Sequence, residues 1–421
     1  MKRSNRAQAG WLRTALFPVG FAAATAFAAP VDEELIGSDV SVHAPTLGMA
    51  NATVSRARGV DALLTNPAGL GALSRSELAL TTTYDGRQLE SQLGRNDASS
   101  VSASAFRLGN LGFVYDADVP NGFGVGIAYR LVRNLDARSF VEGIETTGDY
   151  AGYDVTEDRE TLGNVRALTL GLGAEVAPGT RLGVAVDLWD GERDRTILFV
   201  GNHPRTSDGF AFDDDYTRLI SASRVKVGLE LGVVPELTLG GTILFPSDVD
   251  IREDWQQLTT YRNADGTTNK DAQTGITDYA LHLPVELRGG ATLRLPPFRV
   301  SGELRYADWT SASYSPAPAR DVDRRQFARY FDSTVETRIG AELELGNGAA
   351  LRVGFIGDRI PATWYDVTVE PVTLTAGLTT PLAPGVLLDL AYLFTTWERE
   401  NADVRETLTS HRFLVGARCV F

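Results

Sequence analysis

In several stretches of this chain, apolar residues alternate with positions that carry charges of both signs. Glu286 and Arg288, Glu303 and Arg305, and Glu336 and Arg338 stand two residues apart, so each pair lies on one face of an extended strand. Opposite charges sharing a face form either a structural lattice of ion pairs or a charge-selective constriction. Trp189, Trp309 and Trp397 share the phase of Asp187, Arg305 and Asp389. These rings offer a different chemistry, a cup for an apolar molecule; read otherwise, they are an aromatic belt at a membrane interface. No comparable constellation exists for metal or nucleophilic chemistry. The four histidines (His43, His203, His282, His411) have no H-x-x-x-H spacing, Cys419 stands alone, and G-x-S-x-G is absent. His411 has outward phase and His282 has no serine two residues away, which leaves no Ser/His pair. The expectation is no cofactor, no metal and no catalytic residue.

The elements that must position these side chains are strands. In Arg224–Val233 every odd position is aliphatic and every even one is charged or Gly, and Leu281–Leu295 and Val335–Leu345 repeat the arrangement. Such a period of two gives a sheet with one apolar and one polar face. Tight turns at Pro120-Asn121-Gly122, Pro178-Gly179, Pro235, Pro296-Pro297, Asn347-Gly348 and Pro384-Gly385 alternate with longer polar connections at 86–98, 146–160, 201–215, 261–277, 316–330, 359–366 and 401–405. The segments between them number fourteen, with 123–145 as the third and 406–421 as the last. An even number of antiparallel strands joined by alternating short and long loops predicts a closed transmembrane β-barrel. A soluble sheet also alternates, but here one face is free of charge, as lipid demands: Arg or Lys at the bilayer midplane costs roughly 2–4 kcal/mol. The chain is acidic overall (net charge −14), which excludes a basic nucleic-acid footprint.

The first 28 residues read as an address. Lys2, Arg3, Arg6 and Arg13 precede an apolar run from Ala15 to Phe27 that ends in Ala26-Phe27-Ala28, the pattern of a cleaved secretory signal. Beyond it no run of ~18 apolar residues predicts a membrane helix. The expected organisation is a signal at 1–28, a segment without strand character at 29–75, and a barrel at 76–421.

That middle segment contains Asp61-Ala62 and Asn66-Pro67-Ala68-Gly69-Leu70. Here the chain resembles the FadL/TodX family of outer-membrane transporters for long-chain fatty acids and aromatic hydrocarbons, whose signature lies just ahead of the first strand. Gly302–Thr310, which contains Asp308-Trp309, Leu351–Phe355 followed by Pro361, and the last two strands are also similar. The resemblance implies a fourteen-stranded barrel plugged by an N-terminal hatch, in which Asp61, Asn66, Pro67 and Gly69 form the hatch motif. Asn-Pro is then either a fixed turn or a hinge. It implies passive uptake of a hydrophobic small molecule across the bacterial outer membrane. The partners are outer-membrane lipid and lipopolysaccharide, with no nucleic acid, and the barrel-insertion machinery during assembly, which the aromatic last residue, Phe421, fits. The third strand, 123–145, is the one the family kinks, and Gly122, Gly124 and Gly126 either permit a bulge there or are only lumen-facing glycines. Barrels of the PorV type, which serve protein secretion, are similar in the Asn-Pro-Ala-Gly stretch, and the charged interior also suits a porin for polar solutes.

Overall fold

A computed structural model describes residues 35–36, 42–120, 122–146, 150–316, 326–401 and 403–421; the expected signal lies outside them. Among the described residues, eighteen strand segments follow one another: β1 Glu77–Leu93, β2 Ser99–Asp116, β3 Phe123–Asn134, β4 Ala137–Ile144, β5 Asp154–Ala177, β6 Thr180–Asn202, β7 Gly209–Val234, β8 Leu237–Leu244, β9 Ser247–Arg262, β10 Thr268–Leu283, β11 Glu286–Leu295, β12 Phe298–Asp308, β13 Ser313–Ser315, β14 Ser333–Gly346, β15 Ala349–Gly357, β16 Val372–Ala383, β17 Val386–Asn401 and β18 Val404–Val420. Four of the staves are built from two consecutive segments each (β3/β4, β8/β9, β10/β11 and β12/β13), because both halves pair with the same neighbouring stave. The result is fourteen antiparallel staves. Pairing of β1 with β18, from Glu77↔Val420 to Leu93↔Val404, closes the barrel.

Side-chain burial is inverted relative to a water-soluble protein. On β6, Leu182 and Leu188 are exposed while Asp187 is buried; on β14, Ile339 is exposed while Glu336 and Arg338 are buried. The exterior is an apolar belt that only a bilayer covers favourably, and closure leaves no free sheet edge within it. At the seam, Ser76 and Phe421 exchange backbone hydrogen bonds of 3.0 and 3.1 Å, and the Phe421 ring stacks on Phe113 at 6.4 Å.

The staves are longer than the alternation of the sequence suggests. β1 continues through 86–93, β5 begins at Asp154, β7 at Gly209, and β10 at Thr268, all inside stretches expected to be loops. About ten residues cross a bilayer; beyond them both faces of a strand meet polar surroundings, so the hydrophobic period fades while the hydrogen-bond ladder goes on. β2 runs unbroken through Gly109-Asn110, where an extra residue is absorbed as a bulge opposite Thr81/Thr82. The end of the barrel with the short turns is called lower below, and the end with the long connections upper.

The third stave differs from its expected course. Its interruption lies at Leu131–Asp136, above the glycines, where the register with β5 shifts between Leu131 and Arg133. β3 pairs with β2 only from Asn110↔Arg130 to Asp116↔Gly124, and β4 pairs with β5 alone. Among the described residues the upper half of β2 is therefore paired only with β1, and this interruption of the wall's ladder is called the window below. Gly124 faces the lumen for a different reason: a Cβ there would stand 2.5 Å from the Leu70 carbonyl oxygen.

Candidate functional site

The lumen is organised in layers, and the lowest is the seat of the N-terminal segment. Residues 42–73 run inside the barrel, with short helices at Ala44–Leu47 and Val60–Leu64 and a 3-10 turn at Pro67–Ala72. Asn66 precedes Pro67 at the start of that turn, and its side-chain oxygen accepts the Ala68 N–H (3.1 Å). Its amide nitrogen donates to the carbonyls of Val54 (2.6 Å) and, on the wall, Leu229 (3.0 Å). The wall facing this turn is glycine. A Cβ on Gly228 would stand 1.9 Å from Asn66 Oδ1, and one on Gly183 2.2 Å from the Pro67 carbonyl carbon. Pro67 and Gly69 are buried, and a Cβ on Gly69 would meet the Ala57 carbonyl oxygen at 2.1 Å, so the motif is a closely packed turn. Asp61 is buried in the second helix, and its carbonyl accepts both the N–H (2.9 Å) and the hydroxyl (3.0 Å) of Thr65. Gly228→Val is expected to evict the Asn66-Pro67 turn and to destabilise the seat by about 1–3 kcal/mol or more. Limited proteolysis of 42–73 in the folded barrel should speed up accordingly.

Charged wall residues hold the rest of the segment. Lys226 Nζ donates to the carbonyls of Leu63 (3.0 Å) and Leu64 (2.9 Å), which end the second helix. Glu77 accepts the Val60 N–H (2.9 Å), Glu303 the Val54 N–H (3.0 Å), and Arg58 pairs with Glu230 at 2.6 Å. Glu77 and Glu303 satisfy backbone N–H groups that would otherwise be buried without a partner, whereas Arg58 is exposed and shares the buried Glu230 with Arg181 (2.6 Å).

The six charges singled out in the sequence meet in the same region. Arg305 bonds Glu286 through Nε (3.0 Å) and Nη2 (2.7 Å) and Glu336 through Nη1 (3.3 Å). Arg338 pairs with Glu336 and lies 3.7 Å from Glu303, while Arg224 reaches Glu286 at 3.0 Å. Arg288 is buried with them. The lattice extends through Arg130 and Asp187 (2.9 Å), and it lies above the seat of the N-terminal segment as an ionic floor for the layer over it.

Above the floor lies an apolar layer. Trp189 and Trp309 join Ile220, Ile251, Tyr279 and Tyr314 in one buried cluster. Trp309 donates from Nε1 to Thr334 Oγ1 at 3.0 Å. Trp397 lies apart from this cluster, its ring 5.0 Å from the Arg399 guanidinium. Leu35 and Ile36 are buried in the same cluster, as are Phe327 and Phe331 from the connection between β13 and β14. At one side it reaches Val132 and Leu135, at the wall window.

The window has its own frame. Arg107 pairs with Asp136 and donates from Nε to Asn134 Oδ1 (3.3 Å). Arg87 donates to the carbonyls of Asp136 (2.9 Å) and Asn134 (3.3 Å), and Asp136 accepts the Gly163 N–H (2.9 Å). At the upper edge, Asn96 in the β1–β2 turn bonds the Ile144 carbonyl (3.2 Å) and N–H (3.3 Å). Side chains thus replace the ladder bonds that the kinked stave gives up.

A barrel of this strand count, closed from within by a segment bearing Asn66-Pro67-Ala68-Gly69, can be compared with known architectures. No protein-family model and no curated protein sequence matches the chain. Solved structures do. The Pseudomonas putida toluene transporter TodX superposes with a TM-score of 0.67 at 14% identity, over 90% of this chain and 98% of that one. A Pseudomonas aeruginosa FadL homologue gives 0.64 at 13% identity, over 91% and 99%. The CymD monoaromatic hydrocarbon channel gives 0.59 at 13%, over 92% and 99%. The chain has the FadL/TodX barrel fold.

Within that FadL/TodX frame, several functional groups carry no motif in the sequence. Lys226 had one available signal, being one of three lysines and sharing the inward phase of Arg224. The glycine cradle, the window arginines and the Leu35-Ile36 insertion are visible only once the staves and the segment are placed together.

Proposed function

We propose that this protein is an outer-membrane transporter for passive uptake of hydrophobic small molecules, long-chain fatty acids or aromatic hydrocarbons, through a barrel plugged by the segment 29–75. The observation that carries this reading is an apolar layer, walled by Trp189 and Trp309, that borders the window at Val132 and Leu135. A hydrophobic molecule entering from the upper end is held there out of water, and the ionic floor gives it no favourable way down. The window then offers lateral release into the bilayer. The toluene transporter TodX and the monoaromatic hydrocarbon channel CymD, which share this fold, support the same reading. Lipid and lipopolysaccharide surround the exposed belt, and the aromatic end at Phe421 suits the insertion machinery.

Two measurements test it. Proteoliposomes carrying the chain should not swell in small sugars, whereas rapid swelling would identify a polar channel. The detergent-solubilised barrel should bind 1-decanol or toluene. Because Leu35 and Ile36 occupy the cup as a tethered competitor, the double variant Leu35→Ala/Ile36→Ala should bind roughly tenfold tighter, the order set by the apolar burial that the ligand no longer has to displace. Unchanged affinity in calorimetry would place the ligand elsewhere.

A further inference from the structure

We propose that Asp61 holds a univalent alkali cation, sodium, inside the N-terminal segment, together with the side-chain oxygens of Thr46, Thr53 and Asn51. This site stands apart from the uptake pathway and does not depend on what the cup binds. Asp61 is only 6% exposed. Asp85, Asp187, Glu230 and Asp389, buried on the wall, all have arginine partners: Arg412, Arg130, Arg58 with Arg181, and Arg418. Among the described residues no such pair reaches Asp61, and its Oδ1 is buried without a hydrogen bond. The charged groups that face it are Arg56 and Glu303, one of each sign. Both are engaged elsewhere, Arg56 with Glu342 (3.2 Å) and Glu303 with the Val54 N–H (3.0 Å).

A carboxylate buried without a counter-charge is costly, and the surroundings of this one supply oxygen. The hydroxyls of Thr46 and Thr53 face it. Thr53 Oγ1 is nonetheless buried without a hydrogen bond, and Thr46 Oγ1 meets His43 Nδ1 at 3.1 Å. A Thr46 proton spent on His43 leaves the lone pairs of that oxygen for a cation. Asn51, whose N–H bonds the Thr46 carbonyl (2.9 Å), is buried with neither polar atom of its side chain bonded. A proton on Asp61 would cancel the charge and leave these oxygens as they are, whereas a cation draws on their lone pairs together. Such a donor set suits a hard ion. Calcium takes about 6–8 oxygens, several of them from carboxylates, and among the described residues no group of three acids, histidines or cysteines is arranged for a metal. One carboxylate with neutral oxygens balances one positive charge. The ion ties the second helix, Val60–Leu64, to the turn that follows the first, and so holds both halves of the segment in one seat.

The test is hydrogen exchange, read by mass spectrometry, on the full barrel in a non-ionic detergent at neutral pH, in NaCl or in choline chloride of equal ionic strength. Peptides covering 42–65 should exchange roughly tenfold more slowly in NaCl at ten times the dissociation constant, because an ion that binds only the closed segment suppresses opening by the factor 1 + [L]/Kd. The protection should saturate as sodium is titrated in. Asp61→Asn should abolish the response, and Thr53→Val should weaken it severalfold. Equal exchange in the two salts would leave only water among these oxygens. Protection that follows acidification rather than sodium would assign a proton, and a stronger response to CaCl2 at the same ionic strength would assign a divalent ion. A sodium response that survives Asp61→Asn would put the ion elsewhere. Each of these four results overturns the assignment and leaves hydrophobic uptake untouched. The comparison of salts on the unmodified chain needs no variant to fold.

Discussion

Arg305→Leu is expected to destabilise the barrel by about 3–5 kcal/mol, the range for removing one partner of a buried ion pair. Arg305 is buried and is the hinge of the lattice: two of its nitrogens bond Glu286 and a third bonds Glu336. Without it, the ion pairs left among the described residues are Arg224 to Glu286, at 3.0 Å, and Arg338 to Glu336. The carboxylates cannot turn to water, because the N-terminal segment covers them. The double variant Arg305→Leu/Glu286→Leu should lose less than the sum of the two single losses, since each single change strands a charge that the double change removes. An exposed pair supplies the control. Arg405 and Glu400 lie 3.2 Å apart with side chains 61% and 37% exposed, and Arg405→Leu should cost within about 1 kcal/mol. Denaturant titration in detergent, read by the heat-sensitive gel mobility of folded barrels, orders the variants. A loss at Arg305 no larger than at Arg405 would show that the lattice is hydrated and that the lumen conducts water at this level.

How much of this was readable beforehand follows from which interactions are local. The facing of β6, β12 and β14 is a consequence of period two, so the burial of Glu303, Arg305, Glu336 and Arg338 could be read from spacing alone. Turn chemistry at Pro178-Gly179 and Pro384-Gly385 located the lower ends for the same reason. The upper ends were misplaced because Gln88, Glu90 and Gln92 look like a loop when judged by hydrophobicity, although β1 pairs with β18 across all three. Site residues divide in the same way. Trp189 and Trp309 share an inward phase, but whether two inward rings meet depends on stagger and barrel diameter, and Trp397 has the right phase while standing elsewhere. Gly183 and Gly228 are unremarkable strand glycines until Asn66-Pro67 is laid against them, a contact spanning more than 100 residues of sequence. The kink was expected at flexible residues. It occurs instead at Leu131–Asp136, where partners distant in sequence take over: Arg87 donates to the freed carbonyls, and Arg107 to the side-chain oxygens of Asn134 and Asp136.

Removing those two arginines together is expected to seal the interruption between β2 and the kinked stave. The kinked stave has carbonyls at Asn134 and Asp136 that no strand neighbour bonds, and Arg87 supplies donors to both, while Arg107 clamps the Asp136 carboxylate. Opposite them, β2 from Ser99 to Leu108 pairs only with β1 and presents unpaired backbone groups along its other edge. Two free edges that face each other are a ready-made ladder, and what keeps them from pairing is that side chains already occupy one of them. In Arg87→Leu/Arg107→Leu the carbonyls lose their donors in a place where leaving them unbonded costs about 1–3 kcal/mol each. The least costly replacement is the edge of β2. The stave should straighten against it and seal the wall. Amide protons of 99–108 should then exchange at least tenfold more slowly, and delivery of a hydrophobic probe to the surrounding bilayer should fall by a similar factor, while binding in the cup persists. Hydrogen exchange separates this outcome from a general loss of structure, which would speed exchange on β2. If exchange at 99–108 is unchanged and delivery continues, the arginines do not hold the window, and the way out of the cup runs past the N-terminal segment instead.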